Sequence, residues 1–293
     1  MLASNIEMGS KQLGTFESLE FEENRVQKRL FNASSPPSPG PPLMVYRWWL
    51  LCSTAGAMIA LGWNCQGLGN PQAVRVLREF MQRWTPTIVL LAGTKLNKKE
   101  AEKRKRSMSQ LNFLFVPSKC QSGGLAMIWT KDTNLDIMTY SPHHIDAIFT
   151  EPDSGFRWRV TSFYGHSDTH QRNDSWKLLT SFNNWYQLLW LCLGGFNEII
   201  LMKEKQGGVQ RSQHQMDSFR NAINSCNFKD LDYDGFDFTW CNMREGPDKI
   251  YMPLDRALAT DDWRCHFQNT RVHHLIDSTS DHCAFLISNK VTA

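Results

Sequence analysis

The run Trp190-Leu191-Cys192-Leu193-Gly194-Gly195-Phe196-Asn197-Glu198 starts as a short apolar stretch and ends in polar residues. A brief apolar run bounded by glycine reads as a strand buried on both faces, which delivers the residues after it to one end of a sheet. The pattern recurs. Residues 58–64 end on Asn64, Thr87-Ile88-Val89-Leu90-Leu91 leads to Gly93-Thr94-Lys95, and residues 158–164 lead to Tyr164-Gly165-His166. Further strands are expected at 113–116, 124–129, 145–150, 238–242, 254–259, 272–275 and 283–287. Pro152-Asp153-Ser154-Gly155 forms a turn between two of these strands.

Helical patterns fall between some strands. Asn70 and Pro71 suit an N-cap and first helical position, and Ala73, Leu77, Phe80, Met81 and Trp84 then recur as an apolar stripe. Pro86 stops that helix. A charged helix is expected over 97–111, another over about 171–188, and a third over 213–226 with Met216, Phe219, Ala222 and Ile223 on one face. Many strands with occasional helices predict an α/β fold of two mixed β-sheets packed as a sandwich with flanking helices, not a simple doubly wound sheet.

The flanks read differently. Ser34-Ser35-Pro36-Pro37-Ser38-Pro39-Gly40-Pro41-Pro42 cannot build a packed element, so residues 1–57 are read as a disordered tail and linker, 58–288 as the domain, and 289–293 as a short tail. The apolar stretch 43–61 is interrupted by Arg47, Ser53 and Thr54. It lies too far from Met1 for a signal peptide and reads as linker running into the first strand, with no membrane partner. The eight cysteines form no Cys-x-x-Cys pair or zinc spacing; they are read as reduced thiols of an intracellular protein without a disulfide-linked partner. A net charge of +3 permits a polyanionic partner but does not demand one. Lys103-Arg104-Lys105-Arg106 reads first as a solvated helix face, and second as a DNA-phosphate contact or nuclear signal.

The polar residues collected at strand ends suit phosphodiester chemistry. Asn and carboxylate oxygens are ligands for a hard cation, an Asp beside a His fixes its tautomer, and Tyr, Asn and His can donate to charge on phosphorus oxygens. In order along the chain, Trp63-Asn64-Cys65-Gln66-Gly67-Leu68-Gly69, Gly93-Thr94-Lys95-Leu96, Ser122-Gly123-Gly124-Leu125, Phe163-Tyr164-Gly165, Gly194-Gly195-Phe196-Asn197-Glu198, Phe238-Thr239-Trp240, Leu254-Asp255-Arg256-Ala257-Leu258 and Ser280-Asp281-His282-Cys283 resemble the endonuclease/exonuclease/phosphatase superfamily. More narrowly, they resemble the endonuclease domain of plant non-LTR (LINE-type) retrotransposons, over about residues 57–288.

The resemblance implies a DNase I-like four-layer fold and Mg²⁺-dependent cleavage of DNA, and so a nuclear or cytoplasmic location. It implies metal-shell roles for Asn64 and Asp281, phosphate contacts for Tyr164 and Asn197, and a catalytic His282 oriented by Asp255. Two positions depart from it. Where the family pattern is Glu-Thr-Lys, with Glu the principal metal ligand, the chain has Gly93-Thr94-Lys95. Where the pattern is Gly-Asp-Phe-Asn, with Asp aligning the attacking water, it has Gly194-Gly195-Phe196-Asn197. Each change needs one base in a codon, as in a decaying element copy. Glu198 and Asp168 are poor substitutes, since the first leaves the chain on another bearing and the second lies past a turn. The readings in view are therefore a catalytically impaired nuclease domain, an active DNA-nicking enzyme, and a non-catalytic DNA-binding relic. The run Leu254–Leu258 favours the retroelement branch over a phosphatase or RNA nuclease. No reverse-transcriptase segment follows Ala293 in this sequence, which is read as a fragment or stand-alone descendant.

Overall fold

Alternation along a single strand shows how the layers arise. In β1 (Ile59–Asn64), Ala60 packs into one apolar cluster while Ile59, Leu61 and Trp63 pack into another on the opposite face. Side chains alternate across a strand, so a run apolar at every position is buried on both sides. The computed structural model describes residues 58–118, 123–276 and 280–289; the expected tail over 1–57, with Cys52, lies outside these residues, as does Cys120.

Two large sheets result, as expected. In the first, β1 lies parallel to β2 (Ile88–Ala92) and antiparallel to β15 (Ala284–Ser288). β4 (Leu125–Thr130) and β3 (Leu111–Val116) extend it beyond β2, and β14 (Arg271–Leu275) and the short β10 (Tyr233–Asp234) extend it beyond β15. The second runs β5 (Leu135–Ser141), β6 (His144–Thr150), β7 (Arg157–Tyr164), β8 (Leu189–Gly195), β13 (Asp255–Thr260), β9 (Phe228–Asp230), with only β7 and β8 parallel. A two-stranded ribbon, β11 (Trp240–Cys241) with β12 (Tyr251–Met252), stands apart from both.

Three apolar layers separate four structural ones. Between the sheets lie Leu90, Met127, Trp158, Val160, Leu191, Phe285 and their neighbours. Helix α1 (Pro71–Trp84) seals the outside of the first sheet with Ala73, Val74 and Leu77, and its expected cap is present: Asn70 Oδ1 accepts from Gln72 N at 2.9 Å. The charged helix α2 (Lys98–Ser107) follows β2. Helices α3 (Arg172–Ser181) and α4 (Gln213–Ser225) cover the second sheet through Trp176, Leu179, Phe219 and Ile223. A short α5 (Asp261–His266) sends Trp263 into the inter-sheet core.

Several expectations are corrected. The helix expected over 97–111 stops at Ser107, and Leu111 opens β3, where its apolar side chain and those of Phe113 and Phe115 pack on the first sheet's outer cluster. The helix expected over 171–188 ends at Ser181. Phe182 is fully buried and its carbonyl accepts from Arg159 Nη1 at 2.8 Å, which draws the chain into a single 3₁₀ turn. The strand expected at 238–242 shrinks to Trp240–Cys241. Gly207-Gly208 is docked: Gln206 and Tyr251 exchange backbone hydrogen bonds, and a Cβ on Gly207 would stand 2.0 Å from the Lys249 carbonyl oxygen. Asn289, read as tail, accepts from Met58 N at 2.8 Å. The six described cysteines are free thiols. Among the described residues no helix is long and apolar enough to cross a membrane.

Candidate active site

The register explains why distant motifs meet. β1 and β2 are parallel and end together, at Asn64 and Ala92; β7 and β8 are parallel and end together, at Tyr164 and Gly195. β13 runs antiparallel to β8 with Asp255 opposite Gly195, and β15 runs antiparallel to β1, so the residues that enter β13 and β15 arrive at the same end.

His282 sits at the centre of this end, 4% exposed. Its Nδ1 is 2.6 Å from Asp255 Oδ2, and its Nε2 is 3.1 Å from Asn64 Nδ2. With an amide NH₂ facing Nε2, the ring is the Nδ1–H tautomer donating to Asp255. An imidazolium would need the Asn64 amide turned over, so that its oxygen accepts. Burial alone lowers the His282 pKa, but the Asp255 charge and hydrogen bond, with the Asp281 charge, outweigh it and raise the pKa above the ordinary histidine value.

Backbone and side-chain bonds fix this triad. Ser280 Oγ donates to the Asn64 carbonyl at 2.8 Å and accepts from His282 N at 3.1 Å. Asp255 N donates to Thr239 Oγ1 at 2.9 Å, and Cys283 N donates to the Thr239 carbonyl at 2.7 Å. Trp240 Nε1 donates to Asp281 Oδ2 at 3.0 Å. Thr239 and Trp240 were visible in the sequence as part of a motif but without a role; only the tertiary pairing of Trp240 with His282 supplies one.

The remaining residues lie around this centre. The Tyr164 phenol is held above its ordinary pKa by burial and by the charges of Asp255 and Asp281, so it is a proton donor at neutral pH. Asn197 is placed beside the triad rather than on it: its backbone is left-handed at φ 59°, and Nδ2 donates to the Gly165 carbonyl at 2.7 Å.

At the two glycine positions the site has no side-chain oxygen. Gly195 opens onto a small cavity lined also by Asn64, Asp255 and Phe285, and a Cβ there would lie 3.1 Å from Asp255 Oδ1. Gly93 has φ 61°, and a Cβ there would meet Asn64 Oδ1 at 2.3 Å. The Asn64 side chain thus occupies the space a Cβ at 93 would claim. Neither nearby carboxylate is free to stand in. Glu198, fully buried, is held by Arg172 Nη1 at 2.7 Å and Arg211 Nε at 3.0 Å, and Asp168 caps a 3₁₀ turn by accepting from His170 N at 3.0 Å.

The oxygens left for a cation are Asn64 Oδ1 and Asp281 Oδ1, both buried without a hydrogen-bond partner among the described residues. They are of the right chemical kind, but Mg²⁺ demands near-octahedral oxygen coordination and normally leans on one or two carboxylates with substrate phosphate. Among the described residues no group of three His, Cys, Asp or Glu side chains is arranged to hold a metal. One amide oxygen and one carboxylate oxygen do not make a site for a tightly held Mg²⁺.

Solved structures share this architecture. A 3′ phosphatase from Neisseria, bound to a product DNA hairpin, superposes with a TM-score of 0.61 at 16% identity, over 79% of this chain and 98% of that one. The AP endonuclease LMAP from Leishmania major gives 0.62 at 16% identity, over 90% and 98%. The endonuclease domain of TRAS1, a telomere-specific non-LTR retrotransposon, gives 0.57 at 12% identity, over 80% and 100%. The fold is that of the endonuclease/exonuclease/phosphatase family. No family pattern and no curated protein matches the sequence itself. At these identities the family likeness is one of architecture, and the DNase I-like sandwich expected from the motifs is the one observed.

Proposed function

We propose that this is the DNA endonuclease domain of a retroelement, with its phosphate-side groups kept and its metal-dependent cleavage impaired. The observation that carries the reading is the contrast at one sheet end. His282, Asp255, Asn64 and Asp281 are assembled and hydrogen-bonded, while Gly93 and Gly195 present no oxygen beside them. In this reading Asp255 orients His282, Tyr164 and Asn197 contact the scissile phosphate, and Asn64 and Asp281 are what remains of a Mg²⁺ shell. The partner is DNA; a DNA product hairpin and a retrotransposon endonuclease occur among proteins of this architecture, which supports that choice. Losing a positioned acid–base group lowers rates by about 10²–10⁴, and losing a direct metal carboxylate acts on top of that, although not additively.

The test is nicking of supercoiled plasmid with Mg²⁺. The unmodified protein is expected to nick no faster than its His282→Ala variant, while the Gly93→Glu, Gly195→Asp double variant nicks measurably. Nicking by the unmodified protein that His282→Ala abolishes would overturn the impairment. A folded double variant that stays silent would show that the two glycines do not explain it.

A further inference from the structure

The charged helix α2 is a second place where the molecule addresses a polyanion. It carries six Lys and Arg and two Glu side chains, a net +4 within a chain whose total is +3. Positive charge is therefore concentrated on these ten residues. At 100° per residue, Lys99, Lys103 and Arg106 fall at i, i+4 and i+7 on one face. All three are exposed, and the helix's one buried residue, Ala101, lies on the opposite face.

Glu102, at i+3 from Lys99 and four residues before Arg106, offsets this row only in part, since three cations face one carboxylate. Like charges at i, i+4 destabilise a helix by a few tenths of a kcal/mol, roughly 0.2–0.5 per pair. Among the described residues none of the three has an ion-pair partner. Glu100 does not neutralise the row, since it is committed to the capping box with Asn97. Arg104, on another face, is used structurally: its Nη2 donates to the Leu68 carbonyl at 2.8 Å, and Leu68 N donates to the Thr94 carbonyl at 2.9 Å. These bonds tie α2 to the loops that follow Asn64 and Gly93, so the row is fixed beside the candidate site.

We infer that Lys99, Lys103 and Arg106 form a contact for the phosphate backbone of duplex DNA, separate from the residues assigned to cleavage. Seven residues of helix span about 10 Å, the axial length of about three phosphate-to-phosphate steps along one strand at about 3.4 Å each. The choice of duplex DNA rests on the nuclease reading of the neighbouring site; the cationic row itself does not. Contacts of this kind act through counterion release, at about 0.9 of log Kd per phosphate for each decade of salt. Three of them make binding roughly 40-fold weaker between 50 and 200 mM salt.

The test is binding of a fluorescent 20-base-pair duplex in EDTA, so that no cleavage intervenes, across a salt series. The Lys99→Gln, Lys103→Gln, Arg106→Gln variant is expected to give a log Kd against log salt slope shallower by about 2.7, with an unchanged circular dichroism spectrum. A control that removes three exposed cations elsewhere (Arg157→Gln, Lys229→Gln, Arg271→Gln) is expected to change the slope by less than about one. The inference is overturned if the first variant keeps the full slope, if the control loses as much, or if the unmodified protein binds phosphatidylserine vesicles through this row and not the duplex. The salt series in EDTA reads binding without cleavage and the plasmid assay reads cleavage, so failure of the nicking reading and failure of this one are separately visible.

Discussion

At Gly93 a neighbouring side chain fills the space a Cβ would take. At φ 61° the glycine backbone occupies a region that costs an L-residue about 1–2 kcal/mol, and the side chain that fills the space is the Asn64 amide. Gly93→Ala is therefore expected to destabilise the domain by about 1–2 kcal/mol from the backbone alone, with further loss as Asn64 is pushed off His282. Gly195 lies outside the left-handed region and borders a cavity, so Gly195→Ala is expected to cost less than about 1 kcal/mol. Urea denaturation of the two variants checks the order; equal losses would contradict the backbone argument. The same stability loss accompanies Gly93→Glu, and a folded fraction must be measured beside any nicking rate. At this scale the sequence was readable in part. That glycine stands at two places where the family pattern has a carboxylate is an expectation the motifs carry. That the Asn64 amide fills the space beside Gly93 is not legible there, because it depends on a side-chain position set by His282 across the sheet. Nor is the engagement of Glu198 by Arg172 and Arg211, which come from two other segments.

At the scale of elements, the hairpin joining β5 to β6 carries a buried titratable group away from the site. His144 Nδ1 is 2.8 Å from Ser141 Oγ and Nε2 is 3.1 Å from Thr139 Oγ1, with the Phe182 ring 4.6 Å away. Burial, then the charges of Arg159 and His143, lower its pKa to about 3. The unfolded chain, with an ordinary histidine pKa, takes up the proton first as pH falls. Stability is thus unaffected above about pH 6.5 and declines below it, down towards pH 3. Between pH 7.5 and 5 this one group removes about 2 kcal/mol. Urea midpoints of the protein and of His144→Gln over that range are expected to show a flatter acid limb for the variant, and parallel limbs would refute the assignment. The strands of this sheet show where sequence reading succeeds. β8 is apolar from Leu189 to Leu193 because helices cover one side and the other sheet covers the other, so its composition announces it; β7 is buried in the same way but carries Arg159, Thr161 and Ser162. β5 escaped notice because its residues are mostly half-buried and mixed, with a bulge between Ile137 and Thr139 that breaks alternation. Helix ends failed for a similar reason: the chain passes into a 3₁₀ turn at Phe182 and into a strand at Leu111 to satisfy tertiary packing, which overrides local propensity.

For the molecule as a whole, the separation of binding from chemistry has a thermodynamic consequence. A ligand that binds only the folded state adds RT ln(1 + [L]/Kd) to its stability. A domain that held Mg²⁺ tightly would gain several kcal/mol in 10 mM metal. With one carboxylate oxygen and one amide oxygen as donors, a Kd at or above about 10 mM is expected, and the gain is then at most about 0.4 kcal/mol. For a domain of this size 1 kcal/mol moves Tm by about 2–4 °C, so 10 mM Mg²⁺ should move it by less than about 2 °C, measured by scanning calorimetry at constant ionic strength. Duplex DNA behaves in the opposite way: in EDTA at low salt it should raise Tm with increasing DNA concentration, because the exposed row on α2 survives whatever the fate of the metal ligands. A Tm rise of many degrees in Mg²⁺ alone would mean that a third oxygen donor completes the shell, and the impairment assigned to Gly93 would then fail. If DNA gives no rise while Mg²⁺ gives none either, the fold has been kept without its partner, since the two sheets and their apolar layers depend on neither.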